Sequence, residues 1–200
     1  MMENTLVRLK TEKKAREDRV GQWFTDVLGT SLKATGKNIV NLEIGCGHGH
    51  WLTSFATKEF NQNFVGIDLI TKRIEKAVAK AEKRNLKNLC FCKADAQEFL
   101  ELCHFKIANT YIMYPDPWPK LRHHKRRLIQ PAFLDLLASK TIVGGRLFFM
   151  TDHLSYYEWS VSNISKSVMW VLSKDDWPHE ASSYFQNILP KNQILSALRI

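Results

Sequence analysis

From residue 38 onward, short apolar runs alternate with amphipathic stretches, and this alternation limits the fold more than any other feature. The spacing predicts strands at Asn38–Ile44, Phe64–Asp68, Leu89–Ala94, Ile107–Tyr114 and Arg146–Thr151. Helices are expected between them at His50–Lys58, Ile70–Arg84, Ala96–Leu102, Gln130–Ser139 and His153–Met169, with Gly144-Gly145 breaking the fourth from its strand. The clearest period is at Ile70, Ile74, Ala77, Val78 and Ala81, with Lys and Arg opposite. Strands that alternate with helices form a parallel sheet covered on both faces. The expected fold class is therefore α/β, a Rossmann-like, doubly wound and mostly parallel sheet. Two further strands are expected near Val168–Leu172 and Ile194–Ile200.

In such a sheet, ligands bind beyond the carboxyl ends of the strands, near the point where strand order reverses. The residues just past each strand are therefore the first candidates. Leu42-Glu43-Ile44-Gly45-Cys46-Gly47-His48-Gly49 leaves the first strand and enters a helix. Glycines there allow a tight turn and close approach to a ligand. The spacing is GxGxG, with His50 at the last glycine position of the dinucleotide pattern. Asp68 ends the second strand, 19 residues beyond Gly49, where a carboxylate can accept ribose hydroxyls. Asp95, followed by Ala96, ends the third and suits an adenine amino group, which is a donor. Glu43 can face a cationic ligand group. Each acid taken singly also fits a helix cap or a solvated loop. Together they favour S-adenosyl-L-methionine, with NAD as the lesser option.

The fourth strand runs into Tyr114-Pro115-Asp116-Pro117-Trp118-Pro119-Lys120, then Leu121-Arg122-His123-His124-Lys125-Arg126-Arg127. Prolines stiffen the loop and pin Asp116 just past the strand end. Trp118 offers a face on which a base can stack. Residues 120–127 hold five Lys/Arg and two His, and the whole chain carries 29 Lys/Arg against 20 Asp/Glu, a net charge of +9. That excess favours a polyanionic partner. A basic solubilising surface is the ordinary alternative, but the neighbouring aromatic and constrained acid point to RNA binding beside chemistry.

Tyr114–Arg127 resembles the signature of the bacterial tRNA (guanine-N7)-methyltransferases, an aromatic-Pro-Asp-Pro-Trp-x-Lys block followed by Arg-His-x-Lys-Arg-Arg. The resemblance extends from the glycine loop to Thr151-Asp152, roughly residues 39–155. It implies that Glu43, Gly45, Gly47, Gly49, Asp68, Asp95, Ala96 and Asp116 line the S-adenosyl-L-methionine pocket and that Asp116 is also catalytic. It implies that Lys120 and Asp152 contact the substrate. Trp118, Arg122, His123, Lys125, Arg126 and Arg127 are expected to grip tRNA beside them, with Ser182 and Tyr184 holding the target nucleotide. Three departures stand out: Asp68 and Phe185 occupy places where the family has Glu, and Leu121 a place usually basic. Phe185 keeps open a non-catalytic or weakly active RNA-binding homologue. A methyltransferase on a non-RNA substrate would leave the basic run unexplained.

The remaining features fit the same picture. Residues 5–28 read as a basic helical arm with apolar positions at Leu6, Leu9, Val20, Trp23, Phe24 and Val27. The expected organisation is an arm over residues 1–30 and one catalytic domain over 31–200. Four cysteines, at 46, 90, 92 and 103, lack paired C-x-x-C zinc spacing and read as reduced thiols; no metal is expected. No apolar run reaches the length of a membrane span. The first 20 residues have no apolar signal core. A cytoplasmic protein, monomeric or homodimeric, is expected.

Overall fold

The computed structural model describes residues 2–30, 38–180 and 192–200. Helix α1 (Met2–Thr30) precedes strand β1 (Ile39–Ile44), and α2 (His50–Lys58) leads to β2 (Asn63–Asp68). Helix α3 (Thr71–Lys83), β3 (Leu89–Lys93), α4 (Ala96–Leu102) and β4 (Lys106–Met113) continue the alternation. A 3-10 helix (Leu121–Arg126) precedes α5 (Pro131–Lys140), β5 (Thr141–Thr151), α6 (Leu154–Ser165), β6 (Trp170–Ser173) and β7 (Gln193–Arg199).

The strands form one sheet in the order β3-β2-β1-β4-β5-β7-β6. The first five are parallel; β7 is antiparallel to both β5 and β6. All six residues of β2 and five of the six in β1 are buried, because helices cover both faces of a parallel sheet. Strand order reverses between β1 and β4, which opens a crevice at their carboxyl ends.

Three sequence expectations shift. Gly144-Gly145 does not lie before its strand but loops out within β5, which begins at Thr141. Gly144 is left-handed at φ 82°, and a Cβ on Gly145 would stand 2.4 Å from the Ala108 carbonyl oxygen. Helix α6 stops at Ser165, and the chain turns there to enter β6 at Trp170. The two last strands fall within about two residues of their expected places.

Helix α1 docks by its inner half. Val20 and Phe24 are buried, with the Phe24 ring 5.0 Å from Phe99 and 5.3 Å from Phe105. Trp23 Nε1 donates to the Phe91 carbonyl at 2.8 Å. Arg16 makes a two-pronged pair with Glu98 of α4 at 2.7–3.0 Å, a geometry that fixes direction as well as distance. The side chains of Leu6, Leu9 and Val27 lie outside the described residues.

Candidate functional site

The cleft at the carboxyl edge has a volume of about 790 Å³, within the range of small-ligand sites. Its floor is the loop between β1 and α2, where Gly45, Gly47 and Gly49 all take positive φ. The backbone N–H groups of Gly45 and Cys46 both donate to the Ile67 carbonyl at 2.9 Å, and Gly47 N–H to Asp68 Oδ2 at 3.0 Å. Gly45 and Gly47 line the cleft; Gly49 does not. A Cβ on Gly49 would meet Phe91 at 2.6 Å and Ala77 at 2.8 Å, so this glycine allows the loop to pack on β3 and α3. The structure gives this expected cofactor residue a packing role.

Glu43, Asp68, Asp95, Ala96 and Asp116 all line the cleft, as the strand-end reading requires. Their environments differ. Asp68 is 5% exposed and already accepts from Ile70 N–H at 2.8 Å and Gly47 N–H at 3.0 Å, with Arg73 Nη1 3.5 Å away. It fixes the loop and still has lone pairs that a ligand hydroxyl could use. Asp95 caps α4, its Oδ1 accepting from Gln97 N–H at 2.9 Å and Glu98 N–H at 3.2 Å. The helix-cap alternative is therefore realised there, at a residue that also faces the cleft.

Glu43 is the anomalous acid. It is buried, and its Oε2 has no hydrogen-bond partner among the described residues. Burial, with the Asp68 charge adding to it, pushes its carboxyl up to about 8. A buried acid with an orphaned oxygen at the edge of a ligand cleft suits a cationic ligand group, which would complete its hydrogen bonding and favour its ionised form.

Asp116 is exposed at the rim. Its loop is held in a constrained shape, because Tyr114 (φ 49°) and Trp118 (φ 44°) bracket it in the left-handed region. Tyr114 N–H donates to the Met150 carbonyl at 2.8 Å. At the other end Arg127 Nε donates to the Pro117 carbonyl at 2.9 Å.

That contact corrects the reading of Arg127. It is only 2% exposed, and its other guanidinium nitrogens donate to Ser155 O and Ser155 Oγ, each at 3.0 Å. Its plane lies over Tyr156 at 5.0 Å and near Trp159 at 5.5 Å. A buried fork with these partners holds the loop to α6 and does not reach a phosphate. The other cations differ: Lys120, Arg122, Lys125 and Arg126 are exposed. Arg126 lines the cleft and lies over Trp118 at 4.8 Å, so one face of that indole is already covered. His123 meets Trp118 edge-on at 5.8 Å. Asp152 is exposed past β5 and does not line the cleft. Ser182, Tyr184 and Phe185 lie outside the described residues.

His48 and Tyr114, inside the strand-end segments that the sequence marks, also line the cleft, and so does Arg73, which sequence reading passed over. Arg73 stands five residues beyond the end of β2.

The strand order, the antiparallel β7 and a nucleoside-sized cleft over successive strand-end acids define a Rossmann-like α/β protein of the class I methyltransferase type. Residues 37–194 match the model of the family described as "Putative methyltransferase", and the chain belongs to that family. A tRNA (guanine-N(7)-)-methyltransferase of Listeria monocytogenes is 36% identical over 152 residues, 75% of this chain and 67% of the relative. Relatives of the same description from Wolbachia pipientis and Halorhodospira halophila are 34% and 38% identical over 68% and 62% of this chain. The chain spans 62% and 54% of the length of those two relatives. Among solved structures, TrmN from Thermus thermophilus aligns with TM-score 0.61 at 15% identity, covering 82% of this chain and 45% of that one. A structure from Clostridium thermocellum described as "putative rRNA-methylase" aligns with TM-score 0.58 at 13% identity, covering 91% of this chain and 97% of that one. These likenesses concern the fold.

Two outcomes test the site. Glu43 titrates near 8 in the folded chain against an ordinary 4.5, so the folded state binds the extra proton between those values. Wild-type stability therefore falls from about pH 4.5 to about pH 8 relative to Glu43→Gln, with the two parallel outside that window, as urea unfolding across pH will read. Arg127→Lys keeps the charge but loses the fork; it lowers unfolding free energy by about 2–4 kcal/mol. It also makes the 114–120 loop more sensitive to limited proteolysis. Unchanged stability would return Arg127 to the surface.

Proposed function

We propose that this protein transfers a methyl group from S-adenosyl-L-methionine to N7 of a guanosine in tRNA. The observation that carries the reading is Asp116, held exposed at the rim of a cleft that the orphaned Glu43 carboxyl also lines. The description carried by the Listeria, Wolbachia and Halorhodospira relatives supports it.

The lining fits the cofactor. Glu43 would meet its methionine ammonium, the Gly45–Gly47 turn would lie along the methionine part, and Asp68 would accept from the ribose. Asp95 and Ala96 would border the adenine, with Ile70 on the apolar side. When bound, the cofactor supplies an electrophilic methyl on a positively charged sulfur.

N7 of guanine carries an in-plane lone pair and no proton, so no general base is needed. The work of the chain is placement in line with the methyl. Methylation leaves the purine cationic, and the Asp116 carboxylate favours that charge as it develops. Asp116 also accepts from guanine N1–H and N2–H, a donor pair that adenine lacks on that edge. The base leaves its stack to reach the rim. Lys120, Arg122, Lys125 and Arg126 take phosphates, with Trp118 and His123 beside them and Asp152 on the neighbouring strand end. The 1–30 arm extends this grip from the 31–200 domain. Among the described residues no helix is long and apolar enough to cross a membrane, and a tRNA substrate places the reaction in the cytoplasm. The protein acts as a monomer or homodimer.

Incubation with unmodified tRNA and labelled cofactor, followed by nucleoside analysis, will yield 7-methylguanosine. Asp116→Asn will keep cofactor affinity within a few-fold while methyl transfer drops by more than about 100-fold, the scale of losing one preorganised electrostatic group. Label in protein but not in tRNA sinks the substrate assignment; full turnover by the variant sinks the role of Asp116.

A further inference from the structure

The second concentration of positive charge in this chain lies outside the Pro115–Arg127 region. Residues 71–87 carry seven Lys/Arg and two Glu. On α3 and its C-cap the charges are sorted. Lys72, Lys76, Lys80 and Arg84 stand at i, i+4 intervals and form one row, flanked by Arg73 and Lys83. Ile74, Ala77 and Ala81 face the core on another side, and Glu75 and Glu82 fall outside the row.

A helix face that only needs solvation is better served by Glu–Lys pairs at i, i+4. Like charges at that spacing repel and destabilise the helix. Here each i, i+4 neighbour along the row is another cation, and Lys72, Lys76, Lys83 and Arg84 make no ion pair among the described residues. The arrangement works against the helix alone and suits a bound polyanion, which relieves the repulsion.

The row also borders the cleft. Arg73 lines it, and Lys80 Nζ donates to the carbonyl of His48, another lining residue, at 2.7 Å. The His48 imidazole is pushed below its ordinary value by burial and by the charges of Lys76, Lys80 and Arg73, a sign of the positive field at this rim. Helix α3 follows β2, and the 120–127 segment follows β4, with β1 between them in the sheet. The cleft mouth therefore has a cationic bank on each side.

We propose that the α3 row is a second phosphate-binding surface, which takes the backbone of the RNA on the side of the cleft opposite the 120–127 segment. The proposal rests on the tRNA reading above and extends it to a surface the signature residues do not include. From Lys72 to the C-cap Arg84 the chain rises about 18 Å, long enough to follow several consecutive phosphates. The apolar face of α3 is buried in the core, so no wedge remains for a lipid surface.

The test compares two charge-matched pairs. Lys72→Gln with Lys76→Gln removes two exposed cations from the row. Lys106→Gln with Lys166→Gln removes two exposed cations from the amino edge of the sheet, away from the cleft. Binding of unmodified tRNA is measured over a range of salt concentrations, with cofactor binding by calorimetry and melting temperature as companions. The row pair will weaken tRNA binding about 10-fold at low salt and flatten the slope of log K against log salt by roughly 1.5, as loss of two phosphate contacts requires. It will leave cofactor affinity unchanged and melt no lower than wild type, since a repulsive row is thinned. The control pair will bind within about twofold of wild type. Equal losses in the two pairs, or none in the row pair, overturn the proposal. A wild type that binds tRNA through the row yet forms no 7-methylguanosine overturns the function above and leaves the row standing.

Discussion

One guanidinium holds the rim of the cleft together. Arg127 joins the Pro117 carbonyl to the start of α6 while lying against Tyr156 and Trp159. A loop with left-handed residues at Tyr114 and Trp118 would relax if nothing opposed it, since such conformations persist only where the surroundings over-determine them. The Tyr114 N–H bond to Met150 holds the entry and Arg127 holds the exit. Asp116 projects between the two. The placement of the acid is thus set by a buried cation.

The floor of the cleft follows a related logic with the signs reversed. Glu43 is buried, its Oε2 finds no donor among the described residues, and its carboxyl is pushed up to about 8. Asp68, close in sequence order and in space, has its donors supplied by Gly47 and Ile70. Two strand-end acids on one floor are therefore prepared for different tasks, one tied to the loop and one waiting for a positive group. The glycine loop joins them, because the same N–H that Asp68 accepts belongs to a residue lining the cleft.

Much of this was legible in the chain. Helices α2 and α4 fall at the residues their periodicity marks, because Gly49 and Asp95 give each a clear start. The five parallel strands were visible as apolar runs, and the strand-end acids gather as topology demands. What stayed hidden depends on distant contacts. The Gly144-Gly145 pair reads as a break, yet its neighbours rejoin the ladder beside β4, because the Ala108 carbonyl comes so close that a side chain is excluded. Arg127 ends a run of exposed cations, and only the partners at Pro117 and Ser155 reveal that it turns inward. Its neighbour Arg126 stays outside over Trp118.

Helix α4 has only seven residues, and it serves two masters. Its cap, Asp95, belongs to the cleft wall, and three positions along it Glu98 grasps Arg16 of the long N-terminal helix. The middle of that helix and the wall of the cavity thereby share one short axle.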